Sequence, residues 1–212
     1  MTTHRDPSRL EAALGAARQA LVIETDSMVG LWTRNSEPLT TAVETLGAVP
    51  GRVVVCGLGK SGHVGAKIAA SMASMGVPSM FLHATEALHG DFGMCTPDDA
   101  GLLISNSGTT TEVLTVARLM RHIGMPTVSM TRSPESPLAR LCVTNLDISV
   151  NREADPLDLA PTSSTLVTLA LGDALCVGLQ GLGDFTETDF ALRHPGGALG
   201  RRLLGAKVLG HE

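Results

Sequence analysis

The chain has 212 residues, 43% of them hydrophobic and 17% charged, with a formal net charge of −5. A pI of about 5.8 and the lack of a basic face argue against nucleic acid as a partner. With no Tyr, four Phe and one Trp, few rings are available to stack bases.

A mean hydropathy of +0.20 fits one globular domain with a sizeable core. So few charges for a solvated surface point to apolar surface covered by another subunit. No apolar run approaches the roughly 20 residues of a membrane helix. Residues 1–6 lack the apolar core of a secretory signal. The four Cys form no Cys-x-x-Cys pair, and Cys56 and Cys176 sit in apolar patterns as small core residues. A reducing cytoplasm fits this usage.

In chain order, Ser8-Arg9-Leu10-Glu11 is a capping-box signature, predicting a helix that runs toward Trp32. A second helix is predicted after Ser36, with Leu39, Ala42, Val43 and Leu46 at helical spacing. Strand–helix alternation follows. Residues 52–57 predict a buried strand, 61–75 a helix, 79–82 a second strand and 85–89 a short helix. A third strand over 101–104 precedes a helix over 109–122. Strands over 126–130 and 146–150 come next, then a long apolar helix over 162–180. This alternation implies an α/β fold: a five-stranded parallel sheet sandwiched by helices, Rossmann-like or flavodoxin-like, behind an N-terminal helical collar. Ligands of such sheets bind beyond the carboxyl ends of the strands. Nothing marks a second domain, so residues 1–212 read as one unit, with helices over 1–50 and a binding core over 51–205.

Two loops at strand ends carry chemistry. Gly57-Leu58-Gly59-Lys60-Ser61-Gly62 has the outline of the dinucleotide fingerprint. The second strand, however, is followed by His83 where an acidic ribose ligand would stand. The Walker order is also missing, and Lys60 inside the loop argues for a different anion. The other loop is Ser105-Asn106-Ser107-Gly108-Thr109-Thr110-Thr111-Glu112. A helix N-terminus presents unpaired N–H groups and partial positive charge. Ser105, Ser107 and Thr110 add short donors at the same point, enough to hold a phosphate dianion without Lys or Arg. One Ser would suffice for an ordinary cap.

Ser105-Asn106-Ser107-Gly108-Thr109-Thr110 matches the S-x-S-G-x-[ST] phosphate loop of sugar isomerase (SIS) domains. Further blocks are Gly57 to His63, His89-Gly90-Asp91-Phe92-Gly93-Met94, Ala160-Pro161-Thr162-Ser163-Ser164-Thr165, and Phe190 to Gly200 with its His194-Pro195-Gly196-Gly197 turn. With these, residues 53–204 resemble the D-arabinose-5-phosphate isomerase family. Two departures stand out. Many members carry a pair of CBS modules after the catalytic domain; this chain stops at Glu212 and looks like a catalytic domain without them, either a natural short form or a truncation. The loop also reads Thr-Thr-Thr where Glu-Ser-Ser is common.

The resemblance implies interconversion of D-ribulose 5-phosphate and D-arabinose 5-phosphate, supplying Kdo and lipopolysaccharide synthesis. Such a reaction needs a base, enediolate stabilisation and a proton shuttle between oxygens, and calls for no cofactor. By resemblance Lys60 neutralises phosphate or enediolate charge, and Ser61 and Gly108 join the phosphate-binding residues. Glu112 lies at the first turn of the loop helix, as a catalytic group or as a carboxylate favoured by the helix dipole. Glu153 follows the last strand as a proton-transfer group. His194 shuttles protons or opens the ring, reaching into a neighbouring subunit's cleft. Which of Glu153 and His194 takes the carbon-bound proton stays open.

His83, Glu86 and His89 have spacing that resembles a metal cluster. The family resemblance places His83 and His89 along the sugar, with zinc on His83 as an inhibitor. Gly76 and Val77 match a substrate-lining turn. Asp158 and Asp173 read as structural. A homotetramer with shared sites is expected. The alternatives are an isomerase of another phosphosugar, heptose or hexulose phosphate, or a non-catalytic sugar-phosphate-sensing SIS module. A basic recognition helix, expected of a transcriptional sensor, is missing from the first 50 residues.

Overall fold

The computed structural model describes residues 7–196. Helices α1 (Pro7–Ser27) and α2 (Leu31–Gly47) come first. Strands and helices then alternate: β1 (Val53–Gly57), α3 (Gly59–Ser74), β2 (Ser79–His83), α4 (Ala84–Ala87), β3 (Ala100–Ile104), α5 (Thr111–His122) and β4 (Thr127–Thr131). β5 (Thr144–Asp147), α6 (Ser163–Gln180) and α7 (Glu187–Arg193) complete the order. All strands are parallel, in the order β2-β1-β3-β4-β5.

The alternating side chains of the strands feed two cores. Val53, Val55, Leu102, Ile104, Val128 and Met130 pack with Leu46 of α2, Ile68 and Met72 of α3, and Leu171 and Leu175 of α6. On the other face Val54, Cys56, Leu82 and Leu103 pack with Val113, Val116 and Met120 of α5. β1 and β3 are buried along their whole length, which is why they read as unbroken apolar runs. Each fully buried Leu, Ile or Met contributes about 1.5–3 kcal/mol. Cys56 and Cys176 are core residues as read from sequence, and burial pushes their thiols up to about 12 and about 11.

Several boundaries differ from expectation. α1 opens on Pro7, so Ser8 is not its cap; the fixed φ of Pro suits a first helical residue. It stops at Ser27, short of Trp32, and Gly30 then takes a left-handed φ of 72°. The second helix restarts at Leu31, includes Trp32 and carries Pro38 inside it, whereas the prediction began it after Ser36. The fifth strand is Thr144–Asp147, displaced from the expected 146–150. Its partner β4 ends at Thr131, opposite Asp147. On the opposite, open edge of β5 a side chain supplies the pairing: Asn35 Nδ2 donates to the Asp147 carbonyl (3.0 Å), and the Asp147 N–H donates to Asn35 Oδ1 (2.7 Å).

α4 is only four residues long and leaves His89 outside it. α7, opened by a Thr186–Asp189 capping box, was absent from the expected elements. α6, with 18 residues, is long and apolar enough by composition to cross a membrane, against the expectation that no run came near that length. Val167, Leu171, Leu175 and Leu179 place it in the core of this domain.

Candidate active site

From β1 the chain crosses outward to β2, then returns to β3 on the other side of β1. The order therefore reverses between β1 and β3, and a crevice opens at their carboxyl ends. Both chemistry-bearing loops leave from this point. The β1 loop turns sharply into α3 because Gly57 and Gly62 meet backbone to backbone: a Cβ on Gly57 would lie 3.1 Å from the Ser61 carbonyl oxygen. Lys60 and Ser61 thus fall in the first turn of α3, and Lys60 is exposed.

The β3 loop is organised by its own hydroxyls. The Gly108 N–H donates to Ser105 Oγ (3.1 Å), and Ser105 Oγ lies 2.8 Å from Thr110 Oγ1. Ser107 Oγ accepts from the N–H (3.2 Å) and the hydroxyl (2.9 Å) of Thr109. Gly108 has a φ of 66°, and a Cβ there would strike the buried Ser136 side chain. The segment after β4 buttresses the loop, with the Leu138 N–H on the Gly108 carbonyl (3.1 Å) and the Arg132 N–H on the Asn106 carbonyl (3.0 Å). α5 begins only at Thr111, so Thr109 and Thr110 belong to the loop.

A cleft of about 210 Å³ lies between these loops and the start of α6. Lys60, Ser61, Asn106, Ser164 and Thr165 are among its lining residues. Glu153 fastens the third wall: its Oε2 accepts the N–H groups of Thr162 (2.8 Å) and Ser164 (3.1 Å) at the α6 terminus. Lys60, Ser61 and Asn106 of the β3 loop therefore line one opening, and Glu153 is tied to the Ser164 N–H at its third wall; Ser105, Ser107, Gly108 and Thr110 are not among its lining residues. Glu112 stands half-buried in the first turn of α5, with no hydrogen bond or ion pair among the described residues. His83 ends β2 beside Gly57, and its buried Nδ1 has no partner among the described residues. His89 lies exposed beyond α4.

Other predicted residues lie apart from this opening within the chain. Gly76 and Val77 precede β2 at the amino end of the sheet, where they line a separate cleft with Gly51 and Val53. Gly76 faces Phe185, and the Arg193 guanidinium lies 4.9 Å from the same ring. That contact puts the end of α7, and with it His194, toward the amino end. The His194 ring stacks on Phe190 (3.9 Å between centroids), and its Nδ1 donates to the Phe190 carbonyl (2.8 Å), leaving Nε2 as the basic nitrogen. The predicted block continues past Gly196, outside the described residues. No group of three His, Cys, Asp or Glu side chains among the described residues is placed to hold a metal ion, so His83, Glu86 and His89 do not form the cluster their spacing resembled.

Sequence reasoning passed over Asn106, Ser164 and Thr165 as lining residues, and Ser136 as the support of Gly108. The signal for two of these was present: Thr162-Ser163-Ser164-Thr165 repeats, at the start of α6, the hydroxyl density of the phosphate loop.

A doubly wound parallel sheet with an amide- and hydroxyl-lined anion loop at its switch point is the architecture of SIS domains. Residues 48–178 match the SIS domain family, and the chain belongs to it. It is 54% identical over 189 residues to the arabinose 5-phosphate isomerase KdsD of Pseudomonas aeruginosa and 47% identical over 189 residues to that of Escherichia coli. Each alignment takes in 89% of this chain and 58% of the relative, so the chain spans somewhat over half the length of these curated relatives. The structure of the Escherichia coli CFT073 protein c3406 in complex with arabinose 5-phosphate superposes with a TM-score of 0.80 at 38% identity, over 90% of this chain and 100% of that one.

Proposed function

We propose that this domain is an aldose–ketose isomerase that interconverts D-arabinose 5-phosphate and D-ribulose 5-phosphate through an enediolate, feeding Kdo and lipopolysaccharide synthesis. The observation that carries the reading is the cleft at the β1–β3 switch point, lined by Lys60 and Ser61 from one loop and Asn106 from the other. The amides and hydroxyls of the loop take the phosphate dianion. Lys60 stands across the cleft to stabilise charge that develops on the enediolate oxygens. Glu153 and His194 exchange protons with carbon and oxygen, and Glu112 bounds the phosphate end. The reaction calls for neither redox group nor metal; in this reading zinc binds His83 as an inhibitor, and the Nδ1 of that residue has no partner among the described residues.

In this reading His194, carried toward the amino end of the sheet by α7, serves a neighbouring copy's cleft in a cytoplasmic homotetramer. The identities to KdsD and the fold shared with the arabinose 5-phosphate complex support the substrate. Incubation with D-ribulose 5-phosphate in deuterated water should yield arabinose 5-phosphate labelled at C2. Absence of both product and label from a folded domain would overturn the reading, as would turnover confined to longer phosphosugars.

A further inference from the structure

We infer that Thr162 is a positioning residue that holds the Glu153 carboxylate in a one-sided, proton-accepting state. The inference rests on the reading of Glu153 as a proton-transfer group. A directed chain of hydrogen bonds carries it. The Ala154 N–H donates to Thr162 Oγ1 (2.7 Å), which uses a lone pair of that hydroxyl. Its single proton then turns to Glu153 Oε2 (3.2 Å). The same oxygen already accepts the N–H groups of Thr162 (2.8 Å) and Ser164 (3.1 Å). Three donors thus converge on Oε2, and none reaches Oε1 among the described residues.

The two oxygens are therefore unequal. Oε2 is saturated, while Oε1 keeps the lone pairs that receive a proton. The carboxylate thus sits at the start of the 18-residue helix α6, on two of its first N–H groups. The backbone is held as firmly. The Glu153 N–H donates to Asp158 Oδ1 (2.6 Å), and Asp158 itself sits at a φ of 54°, a costly conformation for a residue other than Gly. Asp155 gathers the N–H groups of Leu157, Leu159 and Ala160. Residues 153–162 form a closed clasp whose lock is the Thr162 hydroxyl. Ser164 lines the cleft; neither Thr162 nor Glu153 is among its lining residues, and the Thr162 hydroxyl spends its proton on Glu153, so Thr162 acts through that carboxylate.

The test uses the isomerase assay. Thr162→Val keeps the shape and removes the hydroxyl; Thr162→Ser keeps the hydroxyl. In Thr162→Val, kcat should fall about tenfold or more, with KM within about twofold of wild type. Thr162→Ser should restore kcat. Wild-type kcat in Thr162→Val, with Glu153→Gln inactive, would overturn the inference and leave the role of Glu153 standing. So would equal losses in the Ser and Val variants. Full activity in Glu153→Gln would instead overturn the reading beneath it. If Thr162→Val does not fold, Thr162→Ala replaces it with the same readouts.

Discussion

At the scale of single residues, the site is built from groups whose partners are supplied by their own backbone. Ser105, Ser107 and Thr110 are already engaged with one another or with loop amides, so the loop is shaped before any anion arrives. A different residue joins the strands beneath it. Asp99 is 1% exposed; it accepts the Arg52 N–H (2.7 Å), the Thr96 N–H (2.9 Å) and the Thr96 hydroxyl (3.0 Å). The Arg52 guanidinium lies 3.4 Å away. Burial alone would raise this carboxyl, but the donors from Arg52 and Thr96 outweigh it and hold its pKa below the usual range. Because the folded value is the lower one, the stabilisation is complete at neutral pH and is lost as pH falls through the depressed value. Asp99→Asn turns an amide N–H₂ toward those donors and should cost about 3 kcal/mol near neutrality. The gap to wild type should narrow below about pH 4. Urea unfolding at about pH 7 and about pH 3 measures both, and equal midpoints at neutrality would refute the assignment.

At the scale of elements, the decisive contact is the one between α2 and the edge of the sheet. Asn35 is fully buried, and its amide supplies both a donor and an acceptor to the Asp147 backbone, as a sixth strand would. The open edge of β5 is capped there, and the chain is released toward Glu153. Asn35→Ala leaves two backbone groups without these partners and should destabilise the domain by about 3 kcal/mol. Chemical denaturation would register it, and an unchanged midpoint would show that water replaces the side chain at no cost. Periodicity revealed β1, β3, α5 and α6 because each buries its whole length or one clear stripe. It misplaced β5, whose apolar residues Leu146 and Ile148 continue past the point where β4 stops. It also put the helix break between Trp32 and Ser36, where the structure breaks at Gly30, whose left-handed φ interrupts the helix.

At the scale of the whole molecule, the N-terminal collar is unfinished by itself. α1 has no buried residue, and Leu10, Leu14, Leu21 and Val22 are 45–67% exposed on it. Trp32 is 70% exposed and lines an apolar groove with Leu39, Val43 and Leu182. Surfaces of this kind mark interfaces. The proposed homotetramer should therefore persist in sedimentation at micromolar concentration, and Trp32→Glu should dissociate it while far-ultraviolet circular dichroism is unchanged. A monomeric wild-type domain at that concentration would contradict the assembly and, with it, the delivery of His194 between copies.

Local chemistry was legible without coordinates. Hydroxyl density at a strand end, Gly at sharp turns and Lys60 inside the first loop mark a candidate anion site, because amide and hydroxyl donors act over a few residues of chain. Distance was not. Only the folded chain sets Gly76, Val77 and His194 apart from the phosphate loop, brings Ser136 under Gly108, and ties Glu153 to the start of α6. These relations depend on strand order, and strand order comes from how helices cover both faces of the sheet, which no stretch of sequence records by itself.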